Sequence, residues 1–234
     1  MDDREGPLYP LLPAGPRRSL AERLRGADSY GLLLILVLSS LLVTALVGDS
    51  DWGRFVSTAM SGATTLFAFW TSRPSVAILR AATIVVALSI LASIAAVALG
   101  SSTTVDHMGR AGLALITAAS PVVVARRLVS HPRVQGSTVL GALCIYLLLG
   151  LFFAYLYSTI GAINPPFFAQ QSTATIVDYL YFSYATLTTV GYGDLTAGTD
   201  VGRMLAVSEA LTGQLYLVTV VSLLVANLGR VRSR

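Results

Sequence analysis

The sequence predicts an all-α integral membrane protein, and three observations carry that prediction. Of its 234 residues 54% are hydrophobic and only 12% are charged, against about 25% charged in a soluble domain. The apolar residues are gathered into six long runs. Apart from Arg80, near the start of the third run, the arginines lie outside those runs and favour one side.

The runs are Tyr30–Val47, Phe55–Trp70, Val76–Leu99, Ala111–Ala125, Thr138–Ile160 and Met204–Leu228. The longest reach the roughly 20 residues that carry a helix across a bilayer. The second is diluted by Ser, Thr and Ala, and the fourth is broken by Pro121; six transmembrane helices are expected nonetheless. The first run is too long for a signal peptide, and no A-x-A-like cleavage site follows it. Cys144, the single cysteine, lies inside the fifth run and is expected to be a small apolar core residue.

Net charge is +4, and all 16 basic residues are arginine. With both termini on the cytoplasmic side, the inner segments hold Arg4, Arg17, Arg18, Arg23, Arg25, Arg73, Arg80, Arg126, Arg127, Arg133, Arg230, Arg232 and Arg234. Only Arg54, Arg110 and Arg203 fall outside. The positive-inside rule selects this orientation, so the basic balance reads as topology and not as a nucleic-acid surface. A plasma-membrane location follows as the expectation.

Residues 1–29 read as a cytoplasmic arm: prolines 7, 10, 13 and 16, then "RRSLAERLRGAD", an amphipathic stretch suited to the inner leaflet. Residues 30–128 form a four-helix transmembrane domain. Residues 129–137 make a cytoplasmic linker containing His131, expected to be a bystander. Residues 138–228 form a second membrane unit, and 229–234 a short tail with no ligand-binding domain expected after it. Anionic lipid is a possible partner of Arg17, Arg18, Arg23, Arg25, Arg230, Arg232 and Arg234. No internal repeat, nucleotide-sized soluble domain, metal cluster or catalytic constellation is visible, so no enzyme activity and no cofactor are expected.

The second membrane unit carries the chemistry. Between its two spans lie 43 residues, Gly161 to Arg203. Within them residues 176–188 are apolar and aromatic but too short to span, as expected of a re-entrant helix. Asp178 near its start suits a helix N-terminus. "TLTTVGYGD", residues 186–194, follows. Irregular backbone at membrane depth is tolerated only where protein buries it or where it lines a water-filled path. Gly191 and Gly193 take positive φ without a Cβ penalty. Alternated with Val190 and Tyr192, they let successive carbonyls face one way and, with the Thr189 hydroxyl, present a ladder of oxygens that favours a cation.

Thr189-Val190-Gly191-Tyr192-Gly193 resembles the selectivity signature of potassium channels, and the chain resembles a six-span tetrameric potassium channel of the bacterial kind. The strong match covers residues 176–228; the first four spans agree in number and topology. The resemblance implies a pore helix (176–188), a filter (189–193) and an inner helix (204–228). It implies K+ at Thr189, Val190, Gly191 and Tyr192. One loop furnishes a quarter of each oxygen ring, so a homotetramer conducting K+ passively is expected. A weakly selective cation channel and a non-conducting regulatory or transporter subunit are the alternatives.

Other roles are carried over residue by residue. Asp194 corresponds to the aspartate that ties the filter to the pore helix. Its partners in several relatives, a glutamate and a tryptophan, are here Ala185 and Tyr181, so a Tyr181–Asp194 hydrogen bond is expected. Thr188 is a further filter-support residue. Gly213, 22 residues after Gly191, stands at the place of a hinge glycine, with close helix packing as the competing reading. Thr219, Ser222 and Ala226 are expected to line the cavity. Glu209, a carboxylate inside a span, is expected behind the filter, either bonded to the pore helix or neutral. The chain departs from voltage-gated relatives in its fourth span, where no charge lies between Arg110 and Arg126.

Overall fold

The computed structural model describes residues 29–47, 51–72, 74–98, 103–129 and 136–222. The N-terminal arm, His131, Ala226 and the terminal arginines Arg230, Arg232 and Arg234 lie outside the described residues.

Among the described residues seven α-helices follow one another: α1 (Ser29–Val47), α2 (Asp51–Ser72), α3 (Val76–Ala98), α4 (Thr103–Val129), α5 (Gly136–Ile163), α6 (Ile176–Leu187) and α7 (Asp200–Tyr216). A π-helical turn, Leu217–Val221, continues α7. Among the described residues there is no β-strand, only an isolated antiparallel bridge between Phe168 and Ala197. Four of these helices are long and apolar enough to cross a membrane, over Tyr30–Val47, Val76–Ala95, Gly109–Leu128 and Thr138–Ile163. The protein is a multi-pass helical membrane protein. Its helices turn apolar side chains outward: Leu46 is 75% exposed, and Leu42, Leu88 and Leu91 also face out, as lipid permits and water does not.

One expectation about the first unit is corrected. Pro121 does not break the fourth run, because α4 passes straight through it. A proline removes the amide that would bond the carbonyl four residues back. Here that carbonyl, of Thr117, accepts the Ser120 hydroxyl at 2.8 Å instead. The dilution of α2 by serine and threonine stands, since α2 is not one of those four helices, and its hydroxyls bond within their own helix. Thr64 donates to the Met60 carbonyl, Thr65 to Ser61 and Ser72 to Ala68, at 2.8–2.9 Å. These hydroxyls are buried between helices with their hydrogen bonds made locally.

Both α1 and α4 pack along α5 of the same chain. Tyr30, Leu33 and Val37 of α1 join Leu113 and Val124 of α4 and Leu148 and Leu151 of α5 in one continuous core. Cys144 is buried in it, and its thiol donates to the Tyr30 carbonyl at 3.3 Å. Arg110 Nη1 donates to the buried Ser158 hydroxyl at 3.2 Å, joining the first part of α4 to the last part of α5. Helix α7 starts at Asp200, four residues before the apolar run, because Thr199 caps it by accepting the Gly202 amide.

Candidate functional site

The short helix α6 is fixed at both ends and along its side. At its start Thr175 accepts the Asp178 amide at 3.2 Å, while Asp178 Oδ2 accepts the Thr175 amide at 2.8 Å. This reciprocal capping box puts a carboxylate on the positive end of the helix. Gln171 Nε2 donates to the same Oδ2 at 3.0 Å. Along the side, the rings of Tyr179 and Phe182 pack on Phe167, Phe168 and Tyr157 with centroids 5.2–6.0 Å apart.

The last four carbonyls of an α-helix have no partner within it. In α6 each has one from outside. Tyr184 O accepts the Thr188 amide (3.0 Å) and hydroxyl (2.6 Å). Ala185 O accepts the amides of Val190 (2.9 Å) and Gly191 (3.1 Å), and Thr186 O accepts that of Thr189 (2.9 Å). Leu187 O accepts the Tyr146 hydroxyl of α5 at 3.0 Å. Loop 189–193 is thereby stitched to the end of α6.

Within the loop φ is positive at every second residue: 60° at Thr189, 54° at Gly191 and 81° at Gly193. The two glycines adopt the conformation expected of them. Thr189 was not foreseen to share it, since a β-branched residue there is strained by about 1–3 kcal/mol. The two-residue alternation begins one position earlier than glycine alone signals. Nothing lies within 4 Å of a Cβ placed on Gly191 or Gly193, so the glycines answer a backbone need and not a packing one.

At the outer end Tyr181 donates its hydroxyl to Asp194 Oδ2 at 2.8 Å. Its ring stacks on Tyr192, centroids 5.8 Å apart and planes within 9°. Asp194 Oδ1 accepts the Leu195 amide at 3.0 Å. The segment before α6 straps down the segment after the loop: Ala169 N donates to Thr196 O (3.0 Å) and Gly198 N to Phe167 O (2.8 Å). Gln170 clasps Thr196 with both ends of its amide, donating to the hydroxyl (2.7 Å) and accepting the backbone amide (2.9 Å).

Behind the loop Glu209 is fully buried. Tyr157 of α5 donates to its Oε2 at 2.7 Å, and Ser183 of α6 lies 2.5 Å from its Oε1. Ser183 also reaches the Gly150 carbonyl of α5 at 2.7 Å. One carboxyl therefore joins the three helices of the second unit. Gly213 is likewise buried, and a Cβ on it would collide with the Leu187 carbonyl oxygen and side chain. Close approach of α7 to the end of α6 accounts for this glycine, and α7 continues through it as regular helix; the departure from α-helix comes later, at the π turn. Thr219 and Ser222 are exposed below it.

The sequence reading missed several of these residues. Ser183, Tyr157 and Tyr146 sat unnoticed inside apolar runs, because tyrosine and serine barely dent a hydropathy average. Gln214, whose Nε2 lies 3.1 Å from Thr189 Oγ1, carried a detectable signal: it is a polar amide one residue after Gly213, in the middle of the sixth apolar run.

Residues 141–230 match a family model described as "Ion channel". The match runs from α5 through the loop and α7. The chain is similar to two-pore potassium channel 4 of Arabidopsis thaliana, 33% identical over 92 residues, which cover 38% of this chain and 32% of the relative. It is also similar to two-pore potassium channel 1 of the same plant, 37% identical over 71 residues, 29% of this chain and 20% of the relative. The chain thus spans about a third or less of the length of the curated relatives it matches. What is matched is a channel and not an enzyme. Both relatives are plant proteins.

Proposed function

We propose that the protein is a potassium-selective channel of the plasma membrane, in which four identical subunits of six spans each surround one pore and K+ passes down its gradient. The carrying observation is the loop itself. Three residues in left-handed conformation, at 189, 191 and 193, alternate with Val190 and Tyr192, the arrangement that lets carbonyls of consecutive residues face one axis. In this reading Thr189, Val190, Gly191 and Tyr192 supply the oxygens that replace the hydration shell of K+.

A tetramer is supported by what one chain leaves uncovered. Val190 is 52% and Tyr192 70% exposed in a single chain, and irregular backbone at membrane depth needs protein or a water-filled path beside it. In this proposal neighbouring copies cover one side of the loop and ions occupy the other. Tyr181, Thr188 and Asp194 brace the filter, Glu209 ties it to the outer and inner helices, and Thr219, Ser222 and Ala226 line the cavity. Of the first four helices α1 and α4 pack on α5 of their own chain, which favours subunits that do not exchange these helices. The terminal arginines meet anionic lipid on the cytoplasmic side.

Potassium flux from liposomes containing the purified protein tests this. The proposal expects K+ efflux down a gradient, far faster than Na+ efflux and abolished by Gly191→Ala. Equal efflux of the two cations would refute the selectivity, and no efflux would refute conduction by this chain alone.

A further inference from the structure

The Thr189 hydroxyl carries one proton, and that proton is committed to the Thr188 carbonyl at 2.7 Å. Gln214 Nε2 lies 3.1 Å from the same hydroxyl oxygen. With the hydroxyl proton spent, the only hydrogen bond available between the two side chains is one in which the amide N–H donates. The same count decides which end of the amide faces Thr189, an assignment that atomic positions alone leave open. The result is a directed chain: Gln214 N–H to Thr189 O–H to Thr188 carbonyl. It stops the hydroxyl from rotating. It also occupies one of the two lone pairs on Oγ1, leaving one of defined direction.

Gln214 reaches this position because its neighbour Gly213 lets α7 approach the end of α6. Thr189 in turn is held at φ 60°, with its amide donating to Thr186 O at 2.9 Å. Both partners of the bond are therefore fixed from the backbone outward.

We propose that Gln214 is a positioning residue for the innermost cation site: by fixing the Thr189 hydroxyl, it sets how well that oxygen coordinates a dehydrated cation of K+ size. The proposal rests on the reading of loop 189–193 as a cation filter. Losing one hydrogen bond of this type corresponds to about a fivefold change in binding.

The test is equilibrium titration of the full-length purified protein with K+ and with Ba2+, a divalent cation of similar radius, in Gln214→Leu and Gln214→Asn. Asn keeps the amide but is one methylene too short to reach Thr189. Both variants are expected to bind both cations about fivefold more weakly, while their unfolding temperatures stay at the wild-type value. Asn also carries the test if Leu does not fold. Wild-type affinity in both variants would overturn the proposal, and so would wild-type affinity in Asn alone, which would assign Gln214 a general polar role. A wild-type protein that binds K+ no better than Na+ would overturn the channel reading and this inference with it. Wild-type preference for K+ with unaffected variants would overturn the role of Gln214 only.

Discussion

Replacing Glu209 by leucine tests the junction of α5, α6 and α7 most severely. Ser183 has one hydroxyl proton but two oxygens within reach, Glu209 Oε1 at 2.5 Å and the Gly150 carbonyl at 2.7 Å. With an ionised Glu209, one of those oxygen–oxygen contacts would lack a hydrogen. With a protonated one, Oε1–H donates to Ser183, Ser183 donates to Gly150, and Tyr157 donates to Oε2 at 2.7 Å. Every contact is then a hydrogen bond, and no charge is buried beside partners that are hydroxyls and not cations. Glu209→Gln offers the same donor and acceptor and is expected to lose less than about 1 kcal/mol. Glu209→Leu strands the Tyr157 hydroxyl in an aromatic cluster, a loss of about 1–3 kcal/mol per chain. Adding Tyr157→Phe removes the stranded donor and should recover most of that loss. Denaturant unfolding in detergent, followed by circular dichroism, reads the order of stabilities. Infrared spectroscopy reads the carboxylic acid band, present in the wild type and missing in Glu209→Gln. Leucine tolerated as well as glutamine, or a wild type without that band, would refute the reasoning.

Other perturbations probe separate parts of the site. Tyr181→Phe deletes the 2.8 Å bond to Asp194; current should decay faster during sustained K+ conduction, and unchanged decay and selectivity in bilayer recordings would remove Tyr181 as a brace. Gly213→Ala forces a methyl against the Leu187 carbonyl, an overpacking of about 1–3 kcal/mol measurable as a lower unfolding midpoint, and unaltered stability would show that α7 can move aside freely. Voltage dependence should be shallow, because each charge crossing the field contributes about 2.3 kcal/mol per 100 mV and α4 has none between Arg110 and Arg126; a steep conductance–voltage curve would contradict this.

The parts of the fold legible in sequence were those with a local cause. Apolar runs mark helices because a helix satisfies its own backbone in lipid, and α1, α3 and α5 lie where those runs do. Asp178 marked the start of α6 through capping chemistry that needs only neighbouring residues. The glycine spacing at 191 and 193 announced positive φ. The pairing of Tyr181 with Asp194 was open to expectation because both flank a motif of fixed length. What escaped was tertiary. Glu209 advertised itself as a buried carboxylate, yet Tyr157 and Ser183 are 52 and 26 residues away and become its partners only through helix packing. Pro121 misled for the opposite reason: a general rule about proline was overridden by one serine placed to repair the bond. The strain at Thr189 had no compositional trace, since threonine there resembles any threonine at the end of a helix.

The most direct measurement of the central claim is the reversal potential of the purified wild-type protein in a planar bilayer with K+ on one side and Na+ on the other. A tetrameric filter built from Thr189, Val190, Gly191 and Tyr192 predicts reversal close to the K+ equilibrium potential, with the current lost in Gly191→Ala. Reversal near zero would contradict it, and would mean that loop 189–193 does not discriminate between the two ions.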